Sequence, residues 1–169
     1  MKRVALLLTV LLSLGGTGTA GAAQAPLSEA RVPSLAVPEL GIRNASIIPV
    51  GVDAGGRLAV GPSVRSVYTW RQGVRPGQLG SAVIAGHTWS QGAGVFDQLG
   101  TLRPGDRVSV GRADFEVTRV RRVRSLPARD VQALFSDRGR ARLVLITCGD
   151  RSNTTGVYAS RILVYADKV

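Results

Sequence analysis

The sequence predicts a mainly β domain, closed or partly closed into a barrel, with a few short helices. Three observations carry this expectation. Short apolar or alternating runs recur from residue 34 to residue 169, as strands do. Glycine and proline account for 29 of the 169 residues (21 Gly and 8 Pro), and many of them punctuate those runs. Helical spacing is confined to three short stretches.

In chain order, Leu35-Ala36-Val37 is the first candidate strand and residues 45–50 are the second. A third, residues 57–60, follows the turn Asp53-Ala54-Gly55-Gly56. Residues 64–71 and 95–99 are each expected to form one short helix, on either side of a compact apolar strand at residues 81–86. Residues 106–110 alternate, with Val108 and Val110 on one face, and Gly111-Arg112 turns the chain. Phe115, Val117, Val120 and Val123 then change phase between Val117 and Val120, which predicts a bulge. Pro127 opens a short amphipathic helix over residues 127–135, with Val131, Leu134 and Phe135 at helical spacing. Residues 143–146 and 162–166 are continuous apolar runs, the pattern of central strands.

The chain is long enough for one domain with a substantial core, and its 44% apolar content is that of a globular protein. The formal net charge is +11, carried by 20 Arg and 2 Lys. Such a balance suits an anionic neighbourhood, and it also arises from a genome that favours arginine codons. No nucleic-acid-binding motif accompanies it, so no nucleic-acid partner is expected. Residues 1–25 have the layout of a secretory signal or an N-terminal membrane anchor. Lys2 and Arg3 precede an apolar stretch from residue 4 to residue 14, and small residues such as Ala20-Gly21-Ala22 follow. Residues 26–33 are expected to be a linker, and residues 34–169 the working domain, outside the cytoplasm.

Three residues adjoin the apolar runs and can carry chemistry. His87 follows residues 81–86, Cys148 follows residues 143–147, and Arg161 precedes residues 162–166. A cysteine behind an apolar strand is ordinarily a small buried hydrophobe. Here it is the only cysteine of an exported chain, and His87 is the only histidine. If the polar segment 149–160 joins antiparallel neighbours, Cys148 and Arg161 lie side by side. A thiolate is the attacking form of cysteine, and a nearby histidine can take its proton or stabilise its charge. The same imidazole can protonate a leaving amine, and arginine offers a charged fork to an oxyanion. One His and one Cys cannot close a tetrahedral metal site, and neither metal nor cofactor is expected.

These residues resemble a known family. Val83-Ile84-Ala85-Gly86-His87-Thr88 is similar to the histidine motif of sortases. Val95-Phe96-Asp97-Gln98-Leu99 with Leu102-Arg103-Pro104-Gly105-Asp106 resembles the family's short helix and following turn. Leu145-Ile146-Thr147-Cys148 resembles the nucleophile motif, and Ser160-Arg161-Ile162-Leu163-Val164 the strand bearing the family's arginine. The resemblance implies an eight-stranded sortase barrel and a His87–Cys148–Arg161 site. It also implies a cysteine transpeptidase that cleaves a Leu-Pro-x-Thr-Gly-like sorting signal between Thr and Gly. The acyl chain would pass from a Cys148 thioester to an amine acceptor such as a cell-wall precursor. The implied enzyme is a monomer at the cell surface or membrane, resembling sortases of class E or class F. No acidic cluster stands out as a calcium site, so metal independence is expected. The competing expectation is an exported basic module that binds anionic wall polymer without catalysis. Papain-like peptidases fit less well, because they place Cys before His in sequence.

Overall fold

In the computed structural model, residues 33–54, 57–88 and 93–169 are described. The predicted export segment and the linker up to residue 32 lie outside them. Within the described residues the strands are β1 (Ser34–Val37), β2 (Ile42–Val50), β3 (Val67–Trp70), β4 (Ser81–Gly86), β5 (Arg107–Val110), β6 (Ala113–Val123), β7 (Arg142–Arg151) and β8 (Tyr158–Lys168). They form a closed barrel in the order β1-β2-β3-β4-β7-β8-β6-β5, sealed where β5 pairs back onto β1. Closure leaves no strand edge unpaired. The pairs β2–β3 and β4–β7 are parallel, and the others are antiparallel. The eight-stranded, mainly β architecture agrees with the expectation from sequence.

Side-chain alternation divides the apolar residues between two cores. Leu35, Val37, Ile84, Phe115, Leu145 and Val164 point into the barrel and are fully buried. Each such side chain contributes roughly 1.5–3 kcal/mol by leaving water. Outside the barrel, Val83 of β4, Val144 of β7 and Leu163 and Tyr165 of β8 form a smaller cluster. Leu134 of α1 (Ala128–Leu134), the one α-helix among the described residues, covers it. Residues 143–146 and 162–166 are therefore apolar at every position because both faces of these strands are buried.

The expected bulge is present in β6. Val117 faces Ala166 and Arg119 faces Tyr165, so two steps on β6 match one on β8. This shift turns Arg119 outward, where its guanidinium lies over the Tyr165 ring at 4.5 Å.

Three expected elements differ. Residues 64–71 are not helical; Val67–Trp70 is β3, and its β-branched and aromatic residues suit a pleated surface. Residues 57–60 make only the single bridge Val52↔Leu58, and Arg57 donates from its amide and its guanidinium to the Asp53 carboxylate. Residues 95–98 are a turn leading into a 3-10 segment, Leu99–Thr101, rather than a helix.

Candidate active site

Three consecutive strands of the barrel, β4, β7 and β8, bring His87, Cys148 and Arg161 together. Cys148 and Arg161 are direct partners across the antiparallel β7–β8 pair. Residues opposite one another in a ladder share a face. On β4 and β7 the parallel register runs to Ala85↔Ile146. The Thr147 hydroxyl then donates to the Gly86 carbonyl at 2.8 Å. His87 and Cys148 are the next residues along these two segments.

All three lie on the outer face of the sheet. Val83 and Ala85 lead to His87, Val144 and Ile146 lead to Cys148, and Leu163 leads back to Arg161 with a period of two. The site is thus a continuation of the outer apolar cluster. The sequence placed Cys148 and Arg161 at strand ends, with a loop over residues 149–160 between them. The structure instead runs β7 on to Arg151 and starts β8 at Tyr158, so only residues 152–157 form the loop. Cys148 and Arg161 are held within a continuous ladder, a firmer support than a loop.

Local packing explains why glycine precedes His87. A Cβ on Gly86 would fall 2.4 Å from Cδ2 of Phe96, which is fully buried. The Phe96 amide in turn donates to the His87 carbonyl at 3.0 Å. Asp97 accepts from the Thr88 hydroxyl and from the Gly94 amide, both at 2.9 Å. The segment Val95-Phe96-Asp97 therefore braces the backbone that carries the imidazole. On the other side, a Cβ on Gly149 would meet the Ser160 hydroxyl at 2.7 Å, so glycine lets β7 and β8 close beside the thiol. Asp150 follows with a left-handed φ of 53° and pairs with Arg122.

Cys148 and His87 are half-buried, and Arg161 is exposed, with Nη1 donating to the Ser160 carbonyl at 2.8 Å. The three line a cleft of about 670 Å³. Its walls are mostly apolar: Leu58 and Val60 come from the β2–β3 connection, Trp70 from β3, and Leu126, Val131 and Phe135 from the α1 region. A second cleft of about 650 Å³ also reaches His87, bounded by Val60, Pro62, Val64, Thr88 and Tyr158. The arrangement offers a thiol, an imidazole and a permanent cation around one apolar groove, the equipment for acyl transfer from an extended peptide. Among the described residues, no group of three or more His, Cys, Asp or Glu side chains could hold a metal ion.

Two supports were not foreseen from the sequence. Thr147 is buried and polar in an otherwise apolar run, a signal that its hydroxyl has a partner. The Gly61 carbonyl, 2.7 Å from His87 Nε2, has no sequence signal, since any residue carries a carbonyl.

Comparison with known proteins agrees with this architecture. The family model for the sortase domain matches residues 35–169. Comparison with curated protein sequences gives no match. Sortase A from Corynebacterium diphtheriae superposes with a TM-score of 0.60 at 24% identity, over 82% of this chain and 60% of that one. Sortase C-1 from Actinomyces oris gives 0.61 at 25% identity, over 81% and 73%. Sortase A from Listeria monocytogenes gives 0.61 at 17% identity, over 82% and 86%. This chain thus spans 60% of the length of the Corynebacterium protein. With His87, Cys148 and Arg161 gathered on the outer face of a closed eight-stranded barrel, and the family match extending over residues 35–169, the chain belongs to the sortase family.

Proposed function

We propose that this protein is a cysteine transpeptidase that cleaves a Leu-Pro-x-Thr-Gly-like sorting signal between Thr and Gly and passes the acyl chain to an amine. The juxtaposition of Cys148, Arg161 and His87 on one face of three adjacent strands, beside an apolar groove, carries the reading. The Cys148 thiolate attacks the Thr carbonyl carbon, and Arg161 stabilises the oxyanion. The C–N bond breaks as His87 gives its proton to the departing Gly amine, leaving a thioester on Cys148. An incoming amine returns a proton to His87 and displaces the thiolate; water in its place gives hydrolysis. Leu58, Val60, Trp70 and Phe135 suit the apolar part of the signal. The second cleft at His87 offers the acceptor a separate approach.

The apolar N-terminal stretch and the family's typical membrane-anchored, extracytoplasmic placement support work at the cell surface, with residues 1–25 as signal or anchor. A cell-wall precursor is the acceptor that fits such a location. The strongly basic composition supports class E or class F. Mass spectrometry of a sorting-signal peptide library, incubated with the enzyme and a small amine, tests the reading. Products joined after Thr are expected from wild type and absent from Cys148→Ala. Peptides left intact by wild type across the library would refute it.

A further inference from the structure

Residues 57–66, leading into β3, do more than wall the cleft. Gly61 lies in this segment, and its carbonyl oxygen sits 2.7 Å from His87 Nε2. A carbonyl can only accept, so this contact requires a proton on Nε2. Nδ1 has no hydrogen-bond partner among the described residues. It is the nitrogen left to exchange a proton.

The Gly61 carbonyl is held in place by a specific wedge. Tyr68 of β3 is buried, and its hydroxyl donates to the Ser63 carbonyl at 3.1 Å. Its ring meets the His87 ring edge-on, with centroids 6.0 Å apart at 77°. A Cβ at position 61 would come within 3.0 Å of the Tyr68 ring and 3.2 Å of its hydroxyl. Glycine therefore lets the segment lie against Tyr68 while its carbonyl meets the imidazole. One tyrosine packs on the histidine and, through Ser63, ties down the segment that accepts from it.

We propose that Gly61 is a positioning residue, whose carbonyl fixes the His87 ring as the Nε2–H tautomer and reserves Nδ1 for proton transfer in the cleft. In acylation the Nδ1 proton moves to the departing amine as the C–N bond breaks. In deacylation Nδ1 takes a proton from the incoming nucleophile as the thioester C–S bond breaks. The Nε2 proton stays on Nε2 throughout, donated to the Gly61 carbonyl, as second-partner contacts fix tautomers in other histidine sites. Val60, next to Gly61, lines both clefts, so the segment that touches substrate also orients the imidazole.

This role rests on the reading of His87 as acid and base, and the two fail separately. The single histidine of the chain makes the tautomer directly readable. Long-range ¹H–¹⁵N NMR of the full chain, at a pH where the ring is neutral, is expected to show Nε2–H; an Nδ1–H spectrum overturns the Gly61 role alone. A second measurement weakens only the acceptor. Pro62 has no N–H, so lactic acid at position 62 turns the Gly61 carbonyl into a poorer, ester acceptor without removing a donor, and Pro62→Ala is the amide control. The ester protein is expected to lose about fivefold in kcat on an amide substrate against its control, the scale of one ordinary hydrogen bond, with KM unchanged and the Nε2 proton signal shifted. Equal kcat and an unmoved signal overturn the proposal. Amide cleavage that survives in His87→Ala removes the acid–base reading itself, whatever the tautomer.

Discussion

Cys148 and Arg161 face each other as register partners across β7 and β8. A ladder pair sets Cβ atoms about 5 Å apart, so the Arg161 side chain starts beside the Cys148 thiol without help from any loop. In the proposed reaction its planar fork matters as much as its charge. Arg161→Lys is therefore expected to lower kcat by ~10²-fold, the usual scale for losing an oxyanion donor. Steady-state cleavage of a sorting-signal peptide measures this, and activity within twofold of wild type would remove Arg161 from the chemistry.

Cys148→Ala is expected to abolish cleavage and leave the barrel intact. The thiol is half-buried and lies outside both apolar clusters, so its loss changes stability by about 1 kcal/mol or less. Denaturant midpoints and product formation give the two readouts. Turnover by the folded variant would end the nucleophile assignment.

His87→Ala separates leaving groups. An amide needs a proton on its departing nitrogen, whereas an activated aryl ester or thioester does not. Acylation of Cys148 by the peptide is expected to fall ~10²–10⁴-fold, and acylation by the activated ester far less. Single-turnover rates on both substrates decide it. Equal losses would assign His87 a purely structural role.

Gly86→Ala drives a methyl into Phe96, whose ring carbons lie 2.4 and 2.7 Å from the place the added Cβ would take. Overpacking of this kind costs about 1–3 kcal/mol. The barrel is expected to melt earlier, and kcat to fall because the displaced Phe96 also donates its amide to the His87 carbonyl. Thermal melts alongside kinetics check both. An unchanged melting point would show that the turn at residues 95–98 gives way freely.

Thr147→Val keeps the shape and removes the hydroxyl that donates to the Gly86 carbonyl. Stability is expected to drop by about 1 kcal/mol, the net worth of one such bond. Since this bond ties β7 to β4 immediately before Cys148 and His87, kcat should fall with KM little changed. A rise in KM at constant kcat would instead place the effect on substrate binding.

The continuous apolar runs at residues 143–146 and 162–166, the phase break after Val117, the amphipathic helix and the nearness of Cys148 to Arg161 were all legible in the sequence. Each depends on short-range pattern: alternation, turn residues, or the rarity of a residue type. The β3 strand was not legible, because a short run rich in aromatic and β-branched residues fits helix or strand until a neighbour supplies hydrogen bonds. The extent of β7 beyond Cys148 was hidden for the same reason: Gly149, Asp150 and Arg151 read as loop, and only pairing with β8 makes them strand. Sequence alone singled out His87, Cys148 and Arg161 as side chains whose types suit acyl transfer. Only the tertiary structure placed β4 beside β7, put all three side chains on the outer face, and set Gly61 against the imidazole 26 positions away. Those relations come from barrel closure and parallel pairing, which join segments far apart in the chain through backbone groups that every residue shares.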